Sequence, residues 1–281
     1  MTFAEKIVDS IDEFPTLPSV YLKLTEVMQN PSATAKDVAA IISSDPASAI
    51  KVLKAVNAPI YGLRGKIDSI IQAVTYLGFN EIKNLVLALS IIKMFDKIRS
   101  LRNFNIIDFW KHAIGVGIIS RHIARIQNIK QIENYLIAGL LHDIGKLVFI
   151  IFFYDEYSEI VSYATENDLL IDDVEKDFFG STHMVVGEIL AEKWMLPSSV
   201  RQAIRHHGSG TGNGKYPALV AAVHIGDCFA RTLKLGNSGD RLITRPNMDS
   251  IKVLDLPNDY FTANWQVLID EYSLSTNILL N

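Results

Sequence analysis

"LIAGLLHDIGKLV", residues 136–148, sets an imidazole and a carboxylate, His142 and Asp143, side by side in a run that is otherwise almost wholly apolar. A charge buried in such company is costly unless it is paired or holds a metal. Adjacent residues on a helix point about 100° apart, so these two side chains satisfy one another poorly. Both turning to a shared ion is the simpler arrangement. The reading then depends on whether other ligand-type residues lie on helices able to converge on the pair.

Outward from this run the helical period dominates, with few alternating strands. Pro15 and Pro18 stop early structure, and helices are expected over Ser19–Gln29 and from a Thr34 cap to Ser43. In "SSDPASAIKVLKAVN" (43–57), Asp45 takes the N-cap and Pro46 the first helical position, with the end ahead of Pro59. "DSIIQAVTYLG" (68–78) stops at Gly78, and Asn80 is expected to cap the next helix, to Phe95. After a polar stretch, 96–103, helices follow in "DFWKHAIGVGIISRHIARI" (108–126), "ENYLIAGLLHDIG" (133–145, stopping near Gly145), 155–177, "STHMVVGEILAEKWMLP" (181–197), "SSVRQAIRHH" (198–207) and "PALVAAVHIGDCFARTL" (217–233). The tail from 236 reads as turn-rich and helix-poor until Trp265. The expectation is an all-α, two-lobed helical bundle: an N-terminal lobe over 1–100, a histidine-bearing lobe over 101–235 and an extension over 236–281.

Composition agrees with a well-cored globular chain: 281 residues, 49% apolar, 21% charged, formal net charge −4. That charge gives no basic face for nucleic acid. The helix pair over 68–95 invites a helix-turn-helix reading, but its second helix is too apolar to read bases, so packing in a bundle is expected and no DNA partner. A lone cysteine, Cys228, excludes an intrachain disulfide and any multi-cysteine zinc site. Met1–Asp12 carries four charges and lacks the apolar stretch of a signal peptide, and no membrane partner is expected, so the chain reads as cytoplasmic.

Six of the seven histidines lie between His112 and His207. The ligand-type residues come in the order His112, His142-Asp143, His183, His206-His207 and Asp227, each on a different expected helix or at a helix end. Bundle metal sites are built that way, from side chains projecting inward off facing helices. Each residue also has a plainer reading. Asp227 can pair with Arg231 four residues on, His183 can sit exposed in a first turn, and His206-His207 can end a basic helix. His122 and His224 have no place in the series, Asp108 can be an N-cap, and Cys228 reads as a small apolar filler.

The series His…His-Asp…Asp resembles the HD superfamily of metal-dependent phosphohydrolases. "FPTLPSVYLKLTEVM", "ISSDPASAIKVLKAVNAPIYG", "SIIQAVTYLGFNEIKNLVLAL", "FWKHAIGVGIISRHIA" and "LIAGLLHDIGKLV" are similar to the HDOD family, bacterial HD-related output domains, over about residues 14–230. The resemblance implies a two-lobed, all-helical domain of signal transduction, many of whose members have lost the HD ligands. This chain keeps His112, His142, Asp143 and Asp227, the positions of a mononuclear HD site. His183, His206 and His207 match the extra ligands of the related HD-GYP phosphodiesterases, which hydrolyse cyclic di-GMP. Their signature after the paired histidines is not intact here, where the text is "HHGSGTGNGKYP".

Two readings follow. One is a regulatory module with a divalent metal site, partnering signalling proteins through its N-terminal lobe. The other is a phosphohydrolase acting on a phosphoester or cyclic (di)nucleotide, with Asp143 at the metal and Lys146 neutralising a phosphate. Mixed nitrogen and oxygen ligands suit iron, manganese or nickel, as one or two ions.

Overall fold

The computed structural model describes residues 14, 16–57, 61, 65–95, 97–129, 131–212 and 214–280. The expectations placed on Met1–Asp12, Pro15 and Pro59 fall outside them. Among the described residues the fold is all-α, with one isolated bridge between Leu101 and Phe104. The chain divides into two compact units, one of residues 16–96 with 266–281, the other of residues 1–15 with 97–265.

In the first unit, α1 (Ser19–Val27), α2 (Ala35–Ser43), α3 (Pro46–Val56), α4 (Ile70–Leu77) and α5 (Phe79–Met94) begin where local chemistry dictates. Thr34 and Asp37 form a reciprocal capping box on α2, and Asp45 caps α3 with Pro46 behind it. The Asn57 side chain donates to the carbonyls of Leu53 and Ile67 and accepts from the Ile67 amide, closing the loop between them. α5 buries Ile82, Leu85, Val86, Ile91 and Ile92, so it is a packing helix. It starts directly after Gly78, whose φ of 83° is open to glycine; Asn80 therefore lies in the first turn and does not cap.

The second unit holds α6 (Ile106–Ile126), α7 (Glu133–Leu141), α8 (Ile144–Phe152), α9 (Tyr154–Glu166), α10 (Ile171–Phe179), α11 (His183–Lys193), α12 (Ser198–His206), α13 (Pro217–Thr232), α14 (Met248–Leu254) and the start of α15 (Tyr260–Leu280). α6 is buried along most of its length because it is a central helix, packed on α7 and α13. Asn105 caps it through Ile107 and Asp108, which puts Asp108 in the first turn, not at the cap.

Two further expectations are corrected. The helix expected to run to Gly145 breaks at His142-Asp143, and Gly145 lies inside α8. The reason is close approach, not termination: a Cβ on Gly145 would strike the His183 carbonyl and come within 2.8 Å of the Gly187 amide nitrogen. The tail also contains more helix than its turn residues imply, since Asn247 caps α14 and α15 begins at Tyr260. Residues Glu133–Phe152 are long and apolar enough to cross a membrane by composition alone, but the stretch is mostly buried and interrupted at the His142-Asp143 break.

A candidate metal centre

The break between α7 and α8 leaves His142 at the end of one helix and Asp143 at the start of the next, both fully buried. Around them α6 brings His112, α11 its first residue His183, α12 its C-cap His207, and α13 Asp227. All are buried, the most open being 4% exposed. Asp143 stands at the centre. Its Oδ1 lies 3.1 Å from His183 Nε2 and 3.4 Å from His207 Nε2, and its Oδ2 lies 3.4 Å from His142 Nε2. His112 Nε2 lies 2.9 Å from Asp227 Oδ1, which is 3.9 Å from His142 Nε2.

The opposite ring nitrogens are anchored. His142 Nδ1 donates to the Gly139 carbonyl at 2.7 Å, and His207 Nδ1 donates to the Ile204 carbonyl at 2.9 Å. Carbonyls only accept, so Nδ1 carries a proton in each ring and Nε2 is the nitrogen left facing inward. His183 Nδ1 is held by Glu175 Oε2 at 2.7 Å. Such outer bonds are what fix the tautomer and orientation of metal-ligating histidines.

Among the described residues, His142 Nε2, Asp143 Oδ1 and both ring nitrogens of His112 are buried and make no hydrogen bond of good geometry, although His112 Nε2 stands 2.9 Å from Asp227 Oδ1. A buried donor or acceptor left unmade costs about 1–3 kcal/mol. Two ligand groups, His112 with His142 and Asp143, and Asp143 with His183 and His207, bring their atoms within 4.8 Å of one another. The residues fit divalent ions, with Asp143 shared between the groups.

A second ring of charge surrounds the first. Lys146, fully buried, donates to Asp143 Oδ2 at 2.9 Å, to Asp240 Oδ2 at 3.0 Å and to the Ser238 carbonyl at 3.2 Å. Arg231 bonds Asp227 Oδ1 at 2.8 Å and Asp240 Oδ2 at 2.9 Å. Burial alone would raise the pKa values of Asp143 and Asp227; His142 and Lys146 pull the first well below the usual range, and Arg231 and His112 the second. Burial would lower Lys146, but Asp143 and Asp240 hold it protonated. Burial pushes His207 down to about 4 and also lowers His112, keeping both neutral at pH 7. Glu175 and Asp143 hold His183 protonated in the metal-free site; only with every ring deprotonated, as ligation requires, would the carboxylates Asp143, Asp227, Asp240 and Glu175 face just one ammonium and one guanidinium and leave two negative charges for a divalent ion.

Not every expected ligand joins. His206 is only half-buried, and its ring lies against Gly212, outside both ligand groups. Asp108 is half-buried and pairs with Lys111 at 3.2 Å. His224 uses both nitrogens elsewhere, donating to the His207 carbonyl at 2.7 Å and accepting from the Asn247 amide at 2.9 Å. His122 bonds the Tyr260 hydroxyl at 2.7 Å. Cys228 is buried.

Three residues of the cluster escaped the sequence reading: Glu175, Ser238 and Asp240. Glu175 had a signal, since it falls at i+4 from Ile171 in the stripe with Val174 and Phe179, all buried. Asp240 had none, because it arrives on a turn-rich tail.

Comparison with known proteins follows this geometry. The HDOD domain model of protein families matches residues 14–209. An uncharacterized protein of Treponema pallidum (strain Nichols) is 27% identical over 235 residues, 82% of this chain but 44% of that protein; the chain thus spans less than half the length of this curated relative. An HDOD domain protein of unknown function from Geobacter sulfurreducens, solved as a crystal structure, superposes with a TM-score of 0.84 at 25% identity, covering 99% of this chain and 98% of the other. A candidate phosphohydrolase from Shewanella amazonensis SB2B superposes with a TM-score of 0.77 at 20% identity over 97% of both chains, a likeness of fold.

Proposed function

This chain belongs to the HDOD family, and from that premise we propose that it is a cytoplasmic signal-transduction module built around a buried divalent-metal centre. The observation that carries the reading is the convergence of three histidine Nε2 atoms on Asp143, with their Nδ1 atoms anchored outward. His112, His142, Asp143 and Asp227 would hold one ion, and Asp143, His183 and His207 a second. Iron, manganese or nickel suit this donor set. A divalent ion in such a place supplies Lewis acidity and lowers the pKa of bound water.

Catalytic metal sites keep a position open to substrate. Here each ligand is at most 4% exposed, and Lys146 occupies Asp143 Oδ2. That burial supports a metal that organises the fold or senses a signal, with the N-terminal unit engaging a signalling partner. A second reading, hydrolysis of a phosphoester or cyclic dinucleotide, draws on Asp143 being shared between two ligand groups.

The test is elemental analysis of protein purified without chelator or nickel resin, beside a His142→Ala variant. Stoichiometric metal in the parent and its loss in the variant support the module; a metal-free, folded parent contradicts it. Turnover of bis-p-nitrophenyl phosphate by the loaded protein, abolished by Asp143→Ala, would replace the module with the hydrolase.

A further inference from the structure

Three helices of the second unit, α7, α12 and α13, pack on one another and begin beside a single cleft. Its volume is about 440 Å³, the size of a small-molecule site. None of the three has a side chain capping its first turn, whereas Thr34, Asp45, Ser69 and Asn105 cap α2, α3, α4 and α6. Among the described residues, the amides of Ser198, Ser199 and Ala218, all lining the cleft, donate to no acceptor. The first amides of a helix have no intrahelical partner and carry the positive end of its dipole.

A side chain points to a ligand independently of the helix ends. Tyr135, in the first turn of α7, lines the same cleft at 6% exposure. Its hydroxyl has no hydrogen-bond partner among the described residues, and burial pushes its pKa up to about 12. It is therefore a donor at neutral pH that lacks an acceptor, although a buried tyrosine normally finds one. No charged side chain lines the cleft among the described residues, and Ile129 and Leu219 give it apolar wall. A phosphate dianion is ordinarily met by arginine or lysine, whereas neutral donors at helix starts suit the single charge of a carboxylate.

We propose that this cleft binds a small monocarboxylic acid with an apolar body, its carboxylate held by the open starts of α12 and α13 and by the Tyr135 hydroxyl. The Ser198 and Tyr216 hydroxyls, bonded to each other at 2.8 Å, tie those two helix starts together. The site is distinct from the metal centre. α7 and α12 are nine residues long, with His142 and His207 at their far ends, about 13 Å along each axis. The proposal therefore does not rest on the metal-centre reading.

The probes are benzoate and hexanoate, titrated by calorimetry into the metal-free full chain, beside benzamide and hexanamide as uncharged counterparts. At least one acid is expected to bind saturably, and about tenfold more tightly than its amide. Tyr135→Phe keeps the ring and should weaken that acid about tenfold. Ser198→Pro removes one amide at the first helical position, where the extended backbone of Pro197 (ψ 140°) admits proline. It should weaken binding, while Ser198→Ala, which keeps the amide, should not. Thermal melts matched to the parent separate loss of binding from loss of fold, and each variant serves if the other fails to fold. No binding of either acid, equal binding of acid and amide, or unchanged affinity in folded Tyr135→Phe or Ser198→Pro overturns the proposal. Orthophosphate displacing the acids at lower concentration overturns it too. Metal content, measured separately on the parent, bears only on the metal centre.

Discussion

Glu175 Oε2 accepts two hydrogen bonds from His183, one from its backbone amide and one from Nδ1, both at 2.7 Å. The Glu175 carboxylate thus fixes the start of α11 and the orientation of the ring that meets Asp143. Its other oxygen accepts from the Tyr157 hydroxyl at 2.7 Å. Replacing Glu175 with Gln keeps the shape and removes the charge. Metal affinity, read by competition with a chelating dye, is expected to fall about 10- to 100-fold. Unchanged affinity would mean that His183 is not a ligand.

Metal uptake is expected to release a proton at neutral pH. Burial lowers the pKa of His183, but Glu175 overrides it, and with Asp143 carries the imidazolium up to about 10. At pH 7 the metal-free ring is therefore charged, and its Nε2 must lose a proton before it can ligate. Calorimetry in buffers of different ionisation enthalpy should report about one proton released per His183 engaged. No release at pH 7 would contradict the assignment. The sign for stability is the reverse of the usual carboxylate case: the folded value lies above the unfolded 6.5, so this contribution is complete below about 6.5 and lost as pH rises through 10. The metal-free protein should lose stability between those values in a way the loaded protein does not.

Two adjacent histidines should behave differently. His207→Ala removes a buried ring 3.4 Å from Asp143 Oδ1 and is expected to release metal. His206→Ala, at a half-buried ring outside the cluster, should retain the full metal complement. Elemental analysis of the two variants decides this, and equal losses would contradict the geometry.

Gly145→Ala is expected to destabilise by about 2–4 kcal/mol, because a Cβ there meets backbone rather than a side chain that can yield. Gly65→Ala, with nothing within 4 Å, should fall within about 0.5 kcal/mol of the parent. Chemical denaturation measures both, and a neutral Gly145→Ala would mean that α8 and α11 are not so closely packed.

How far the sequence reveals this molecule depends on whether the relevant forces are local. Thr34, Asp45 and Gly78 act on their own backbone neighbours, and the helices they bound were legible. His142 and Asp143 were legible as an anomaly, since an apolar run makes a charge conspicuous. The break at that pair was not, because it follows from α11 crossing at Gly145, a contact between residues far apart in sequence. Asp240 was invisible for the same reason, since its partners Lys146, Ile171 and Arg231 lie 94, 69 and 9 residues away.

The most direct test of the central claim is an anomalous-difference map from crystals of protein purified without added metal, recorded just above the absorption edges of iron, manganese and nickel in turn. The account predicts a peak among His142 Nε2, Asp143 and either His112 or His183 and His207, at about 2.0–2.2 Å from the ligand atoms. A map with no peak there, while the same rings and carboxylate hold their places, would contradict it.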